Sequence, residues 1–131
     1  MKERVRFVVG DACNLNPSLG KFNLIFGGNL IDRVPDPSEF LTSVGNFLEP
    51  KGLLILTSPY SWLEQFTPKD KWVGGYIENE KPVTTNEGMA RILTKVGFKE
   101  LCPSEDIRFS IKDNEWVFQY TLACATFWVK N

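Results

Sequence analysis

At 131 residues, with 43% hydrophobic and 24% charged side chains, the chain has the length and composition of one globular domain able to bury a core. A net charge of -1 argues against a nucleic-acid backbone binder, which needs a basic surplus or stripe. No apolar run approaches membrane-spanning length and Met1-Lys2-Glu3-Arg4 leads into no signal-peptide core, so neither nucleic acid nor membrane is expected as a partner.

The first predicted element is a strand over 4–9, with Val5, Phe7 and Val9 alternating onto one face and Gly10-Asp11 ending it. Asn14-Leu15-Asn16-Pro17 is turn chemistry, since Pro17 biases Asn16 away from the helical region. The short apolar run 22–26 reads as a strand covered on both faces in a parallel sheet, and it opens into Gly27-Gly28-Asn29. Asp36-Pro37-Ser38-Glu39 predicts a helix start, with Asp36 as N-cap, Pro37 at the first position and Glu39 closing a capping box. Phe40, Leu41, Val44, Phe47 and Leu48 recur at helical spacing, and Pro50 with Gly52 stops the helix before a buried strand over 52–57.

Ser61-Trp62-Leu63-Glu64 suggests one or two further helical turns before Pro68. Residues 72–82 show no period, hold Gly74-Gly75, and read as a loop. Thr84-Thr85-Asn86-Glu87 caps a second full helix, with Met89, Ile92, Leu93 and Val96 inward and Gly97 at its end. Runs 107–111 and 116–129, joined by Lys112-Asp113-Asn114-Glu115, fit an antiparallel hairpin. The predicted fold class is α/β, a mostly parallel sheet ending in that hairpin.

The chemistry-bearing residues sit at strand ends, where open α/β sheets bind ligands. Asp11 could accept from an exocyclic amine, with small Ala12 letting the backbone approach a ring, or Asp11 could simply cap a turn. Gly27, Gly28 and Asn29 allow a ligand to lie against bare backbone, or form a plain strand-to-helix turn. Asp32 and Arg33 follow that strand, and Tyr60 and Trp62 follow the next. Arg33 could instead pair with Asp36, Trp62 could belong to the core, and Trp72 could serve as a lid or pin its loop to the body. Three separated cysteines (Cys13, Cys102, Cys124) form no zinc-type pair and read as reduced cytoplasmic thiols. There is no histidine, so the commonest metal ligand and acid–base group is missing and no metal site is expected.

Val9-Gly10-Asp11-Ala12, the Phe22 to Gly28 strand and Leu48-Glu49-Pro50-Lys51-Gly52 together resemble the later part of class I S-adenosylmethionine-dependent methyltransferases, a Rossmann-like family. A narrower likeness spans the chain: Asn29-Leu30-Ile31-Asp32-Arg33, Asp36-Pro37, Thr57-Ser58-Pro59-Tyr60-Ser61-Trp62, Trp72-Val73-Gly74-Gly75 and Phe118 to Trp128. These strings resemble the methyltransferase domain at the C-terminus of ovothiol synthases, which methylates an imidazole nitrogen of a thiol-histidine. The resemblance implies S-adenosylmethionine as cofactor, held through Asp11, Ala12, Gly28 and Asn29. It also implies a small amino-acid-like substrate held through Asp32, Arg33, Tyr60 and Trp72.

The family's glycine-rich turn and acidic strand end have no counterpart here, so residues 1–131 correspond to the C-terminal portion of the domain. The resemblance therefore implies an incomplete cofactor grip and an open sheet edge. That edge predicts a homo-oligomer, formed through the edge itself or by strand exchange. A non-catalytic remnant acting as a binding or oligomerisation module is the alternative to an enzyme.

Overall fold

The computed structural model describes residues 4–131. Strand β1 (Phe22–Gly28) pairs in parallel with β2 (Leu48–Ser58), register Leu24 to Leu53 and Gly28 to Thr57. Between them lies helix α1 (Pro37–Ser43), continued by a 3-10 turn Val44–Phe47. A two-stranded hairpin, β3 (Tyr76–Glu78) and β4 (Lys81–Val83), precedes helix α2 (Thr85–Lys95). The chain closes with β5 (Phe98–Lys112) and β6 (Phe118–Lys130), and the main sheet runs β1-β2-β6-β5.

Three features of this sheet correct the sequence reading. Only β1 and β2 are parallel; β2 to β6 and β6 to β5 are antiparallel, so the sheet is mixed rather than mostly parallel. Residues 4–9 form no strand among the described residues, because no neighbouring strand meets their amides and carbonyls. β1 is not covered on both faces: Leu24 and Phe26 are exposed, because helices pack on one side of the sheet alone.

That side holds the core. Phe40 and Leu41 of α1, Met89 and Leu93 of α2, Leu54 and Leu56 of β2 and Trp128 of β6 form one buried cluster. Asp36 caps α1 by accepting the Glu39 N–H at 3.1 Å, and Lys71 sits 2.9 Å from the same carboxylate. Those two contacts, Lys71 first, hold the Asp36 carboxyl below the usual carboxylate range. The helix is shorter than its apolar spacing predicts, since β2 already begins at Leu48. Lys130 supports this junction by donating to the carbonyls of Gly45 (2.6 Å) and Leu48 (3.0 Å).

α2 follows its sequence pattern closely. Thr84 and Glu87 form a reciprocal capping box, and Gly97 beyond the helix takes φ 92°, a left-handed geometry that glycine adopts freely. The predicted helical turns at Ser61 reduce to one hydrogen-bonded turn in which Phe66 and Thr67 donate to the Leu63 carbonyl. The glycines Gly74 and Gly88 let the 72–75 loop lie directly on α2; a Cβ on either would overlap backbone of Thr85 or Val73. Among the described residues, no helix is long and apolar enough to cross a membrane.

Candidate functional site

The C-terminal ends of the two parallel strands meet over a cavity of about 400 Å³. Asn29, Asp32 and Arg33 line it from β1, Pro59 and Ser61 from β2, and Phe109 and Thr121 among others from the β5–β6 hairpin. A second hollow of about 380 Å³ shares Asn29 and Phe109 and continues along the helix-free face over Phe26, Ile55 and Phe127. Both strand exits are conformationally tense. Asn29 and Tyr60 have φ of 51° and 53°, a region Asn tolerates but Tyr enters only at a cost of roughly 1–3 kcal/mol. Asn29 is fixed there by its amide, which donates to the Thr57 carbonyl at 2.7 Å.

Asp32 is the centre of the cavity wall. It is only 1% exposed, and its Oδ2 accepts from the Ser61 N–H (2.9 Å) and hydroxyl (3.1 Å). Arg33 Nη1 approaches the same oxygen at 3.3 Å and donates to the Asp32 and Ser61 carbonyls, while Nη2 donates to Ser61 Oγ. The guanidinium also lies 4.9 Å from the centre of the Phe66 ring. Arg33 thus pairs with Asp32, and Lys71 takes the place beside Asp36. Oδ1 of Asp32 is buried and has no protein partner. A buried carboxylate oxygen without a donor is costly, which makes it a ready acceptor for a ligand N–H or ammonium group.

The other proposed substrate residues lie in a second network at the start of α2. The Tyr60 hydroxyl donates to Asn86 Oδ1, and Asn86 in turn contacts Cys124 Sγ at 3.5 Å. Burial, then Cys124 and Asp32 nearby, push the Tyr60 hydroxyl far above the usual tyrosine range, so it stays protonated. Trp62 donates to Thr85 Oγ1 at 3.0 Å and stacks on Trp72 with ring centres 6.2 Å apart. Trp72 donates to the Thr67 carbonyl at 2.9 Å. Neither Tyr60 nor Trp72 lines the cavity.

On the cofactor side, Asp11 is exposed, and its Oδ1 accepts the Cys13 N–H at 2.9 Å in a tight turn closed by Asn14 N–H to Asp11 carbonyl. Ala12 packs against the edge of the core cluster. Gly28, exposed at the end of β1, stands beside the Phe26 ring. The structure therefore brings Asn29, Asp32 and Arg33 together, and sets Asp11 and Ala12 apart from them. Ser61, Asn86, Thr85 and Cys124 were not singled out from sequence as partners of these residues. Their contacts span 23 to 38 positions, beyond any local spacing rule.

No family model matches the chain, and no curated protein matches its sequence. Its backbone, however, is similar to a solved S-adenosylmethionine-dependent methyltransferase from Methanosarcina mazei, with TM-score 0.60 over 95% of this chain at 17% identity. The chain shares the fold of that protein over most of its own length. A structure described for the conversion of a disulfide bond into a thioacetal group during echinomycin biosynthesis is equally similar, with TM-score 0.60 over 95% of the chain at 12% identity. The chain spans 66% and 55% of the lengths of those two proteins. In this fold the cavity at Asp32 sits outside the carboxyl ends of the parallel strands, the usual ligand position of open α/β sheets.

For S-adenosylmethionine the residues present fit in part. Asp11 offers a carboxylate whose Oδ2 is outside its turn, and Gly28 offers backbone without a side chain. Among the described strands, β1 is the one that ends in glycines, Gly27 and Gly28.

Proposed function

We propose that this chain takes part in S-adenosylmethionine-dependent methyl transfer to an imidazole nitrogen of a thiol-histidine, as in ovothiol biosynthesis. The observation that carries the reading is the cavity at the ends of β1 and β2, walled by a buried Asp32 whose Oδ1 has no donor and by the Arg33 guanidinium. An amino-acid substrate brings both complements: an ammonium for Asp32 and a carboxylate for Arg33.

The cofactor, when bound, supplies an activated methyl group on a positively charged sulfur. The work left to this chain is alignment and exclusion of water, because a neutral imidazole nitrogen attacks without prior loss of a proton. Asn29 and the Asp32–Ser61–Arg33 network fix the floor of the cavity, and Phe109 closes its hairpin side. Tyr60, protonated and bonded to Asn86, acts on Ser61 and Pro59 by holding the loop that carries them.

Calorimetric titration with S-adenosylmethionine and S-adenosylhomocysteine, followed by methylation assays on thiol-histidines, tests the reading. Saturable one-to-one binding and product formation are expected. Asp32→Asn should weaken thiol-histidine binding at least about tenfold by removing a charge-assisted bond. Binding of neither ligand at millimolar concentration would overturn the reading for this chain.

A further inference from the structure

Ser61 fixes one wall of the cavity at Asp32, yet it belongs to no helix or strand. Residues 59–63 are irregular backbone, and the Ser61 N–H donates to a side chain, Asp32 Oδ2, instead of to a ladder. The Ser61 hydroxyl donates to the same oxygen, while its carbonyl and Oγ accept from Arg33. A carboxylate left to itself rotates broadly about its last torsion. With Oδ2 pinned by Ser61, Oδ1 is the oxygen left without a protein donor.

The residues on either side of Ser61 are held from elsewhere. Tyr60 donates through its hydroxyl to Asn86 Oδ1, and Trp62 donates through its indole N–H to Thr85 Oγ1 at 3.0 Å. Thr85 and Asn86 are consecutive residues in the first turn of α2. That turn is well anchored. The Thr84–Glu87 capping box closes it, Thr85 is buried, and the Asn86 amide reaches Cys124 Sγ of β6 at 3.5 Å. The later part of the loop returns to the same place: a Cβ on Gly74 would meet the Thr85 N at 2.3 Å, and Trp72 stacks on Trp62. Tyr60 meanwhile sits at φ 53°, a left-handed geometry that a tyrosine leaves unless its side chain is tied.

We propose that Thr85 and Asn86 are positioning residues for the cavity, acting through Trp62 and Tyr60 to hold Ser61 against Asp32. The functional part of this inference rests on the cavity being the substrate site. Neither residue lines the cavity; each ties a neighbour of Ser61 to a rigid helix end. Loosening either tie frees Ser61, and with it the rotation of the Asp32 carboxylate that presents Oδ1 to a ligand.

The test reads the Ser61 amide by proton–nitrogen correlation spectra of the full chain without ligand, with the β2 and β6 amides reporting that each variant is folded. Tyr60→Phe, which removes one hydroxyl, and Thr85→Val, which replaces the acceptor by a methyl, should each shift the Ser61 resonance and speed its exchange with solvent. Thr85→Ser keeps the acceptor and should restore the wild-type signal. Asn86→Leu should match Tyr60→Phe, and the two together should do no more than either, since they break one bond. Titration with a thiol-histidine should then show roughly three- to thirtyfold weaker binding for Tyr60→Phe and Thr85→Val. A Ser61 amide that stays unmoved in folded Tyr60→Phe and Thr85→Val overturns the proposal, as does a Thr85→Ser variant as disturbed as Thr85→Val. A wild-type chain that binds no thiol-histidine overturns the functional reading instead, and the Ser61 signal still decides whether α2 positions that residue.

Discussion

The β5–β6 hairpin is one ladder, with two register irregularities between Glu100 and Glu105, in two environments. At its base, Cys124 to Val129 pair with β2 as well as β5, and Trp128 is 3% exposed against the core cluster. Beyond Ala123 the same strands have only each other, and Tyr120 is 68% exposed. A third strand and a covering helix, rather than the hairpin hydrogen bonds, separate the rigid half from the marginal one. The outer half carries Phe109, Ile111, Gln119 and Thr121, one wall of the cavity at Asp32. The cavity at Asp32 is thus walled on one side by a part of the sheet that has a single pairing partner.

Mutations should sharpen this contrast. Trp128→Ala removes a buried indole and should cost about 3–5 kcal/mol, whereas Tyr120→Ala at the tip should stay within about 1 kcal/mol, both by urea unfolding. Gly88→Ala forces a methyl into the Val73 carbonyl and should cost about 1–3 kcal/mol, lowering the melting temperature although alanine favours helix. Thr84→Ala breaks the capping box of α2 and should cost about 1 kcal/mol, with the loss read as faster amide exchange in the first turn.

The smallest effect concerns pH. The folded carboxyl of Asp36 is lowered, so its contribution is present above the unfolded carboxylate pKa and is lost as pH falls through the folded value. Asp36→Ala should flatten that acid limb of the stability curve. An unchanged limb would remove Lys71 and the Glu39 N–H as its cause.

What the sequence revealed follows the same division. α2 was legible because Thr84 and Glu87 lie three apart and Met89 and Leu93 four apart, so caps and core face are local facts. The start of α1 was legible for the same reason; its end was not, because the apolar spacing continues through the 3-10 turn to Leu48, where the strand has begun. The β3–β4 hairpin escaped because its turn places Asn79 and Glu80 at φ 50° and 64° without the glycine that normally announces it. Residues 98–106 escaped because charge and Pro103 mask a strand that lies at an edge. Alternation at 4–9 predicts a strand that the structure does not form, because a ladder needs a neighbour that local pattern does not supply. At the site, Asp32 and Arg33 were visible as strand-end charges, while Ser61, the residue that joins them, lies 29 positions from Asp32 and comes into view only in the fold.

The four tryptophans turn this anatomy into an optical map. Trp116 at the hairpin tip is solvated and open to iodide quenching, Trp128 is shielded in the core, and Trp62 and Trp72 form a stacked pair on the loop between β2 and α2. Coupled indoles in one chiral arrangement give a near-ultraviolet dichroism that vanishes when either ring moves. Tip opening, loop release and core melting can therefore be followed separately in the unlabelled protein, by three signals from a single residue type.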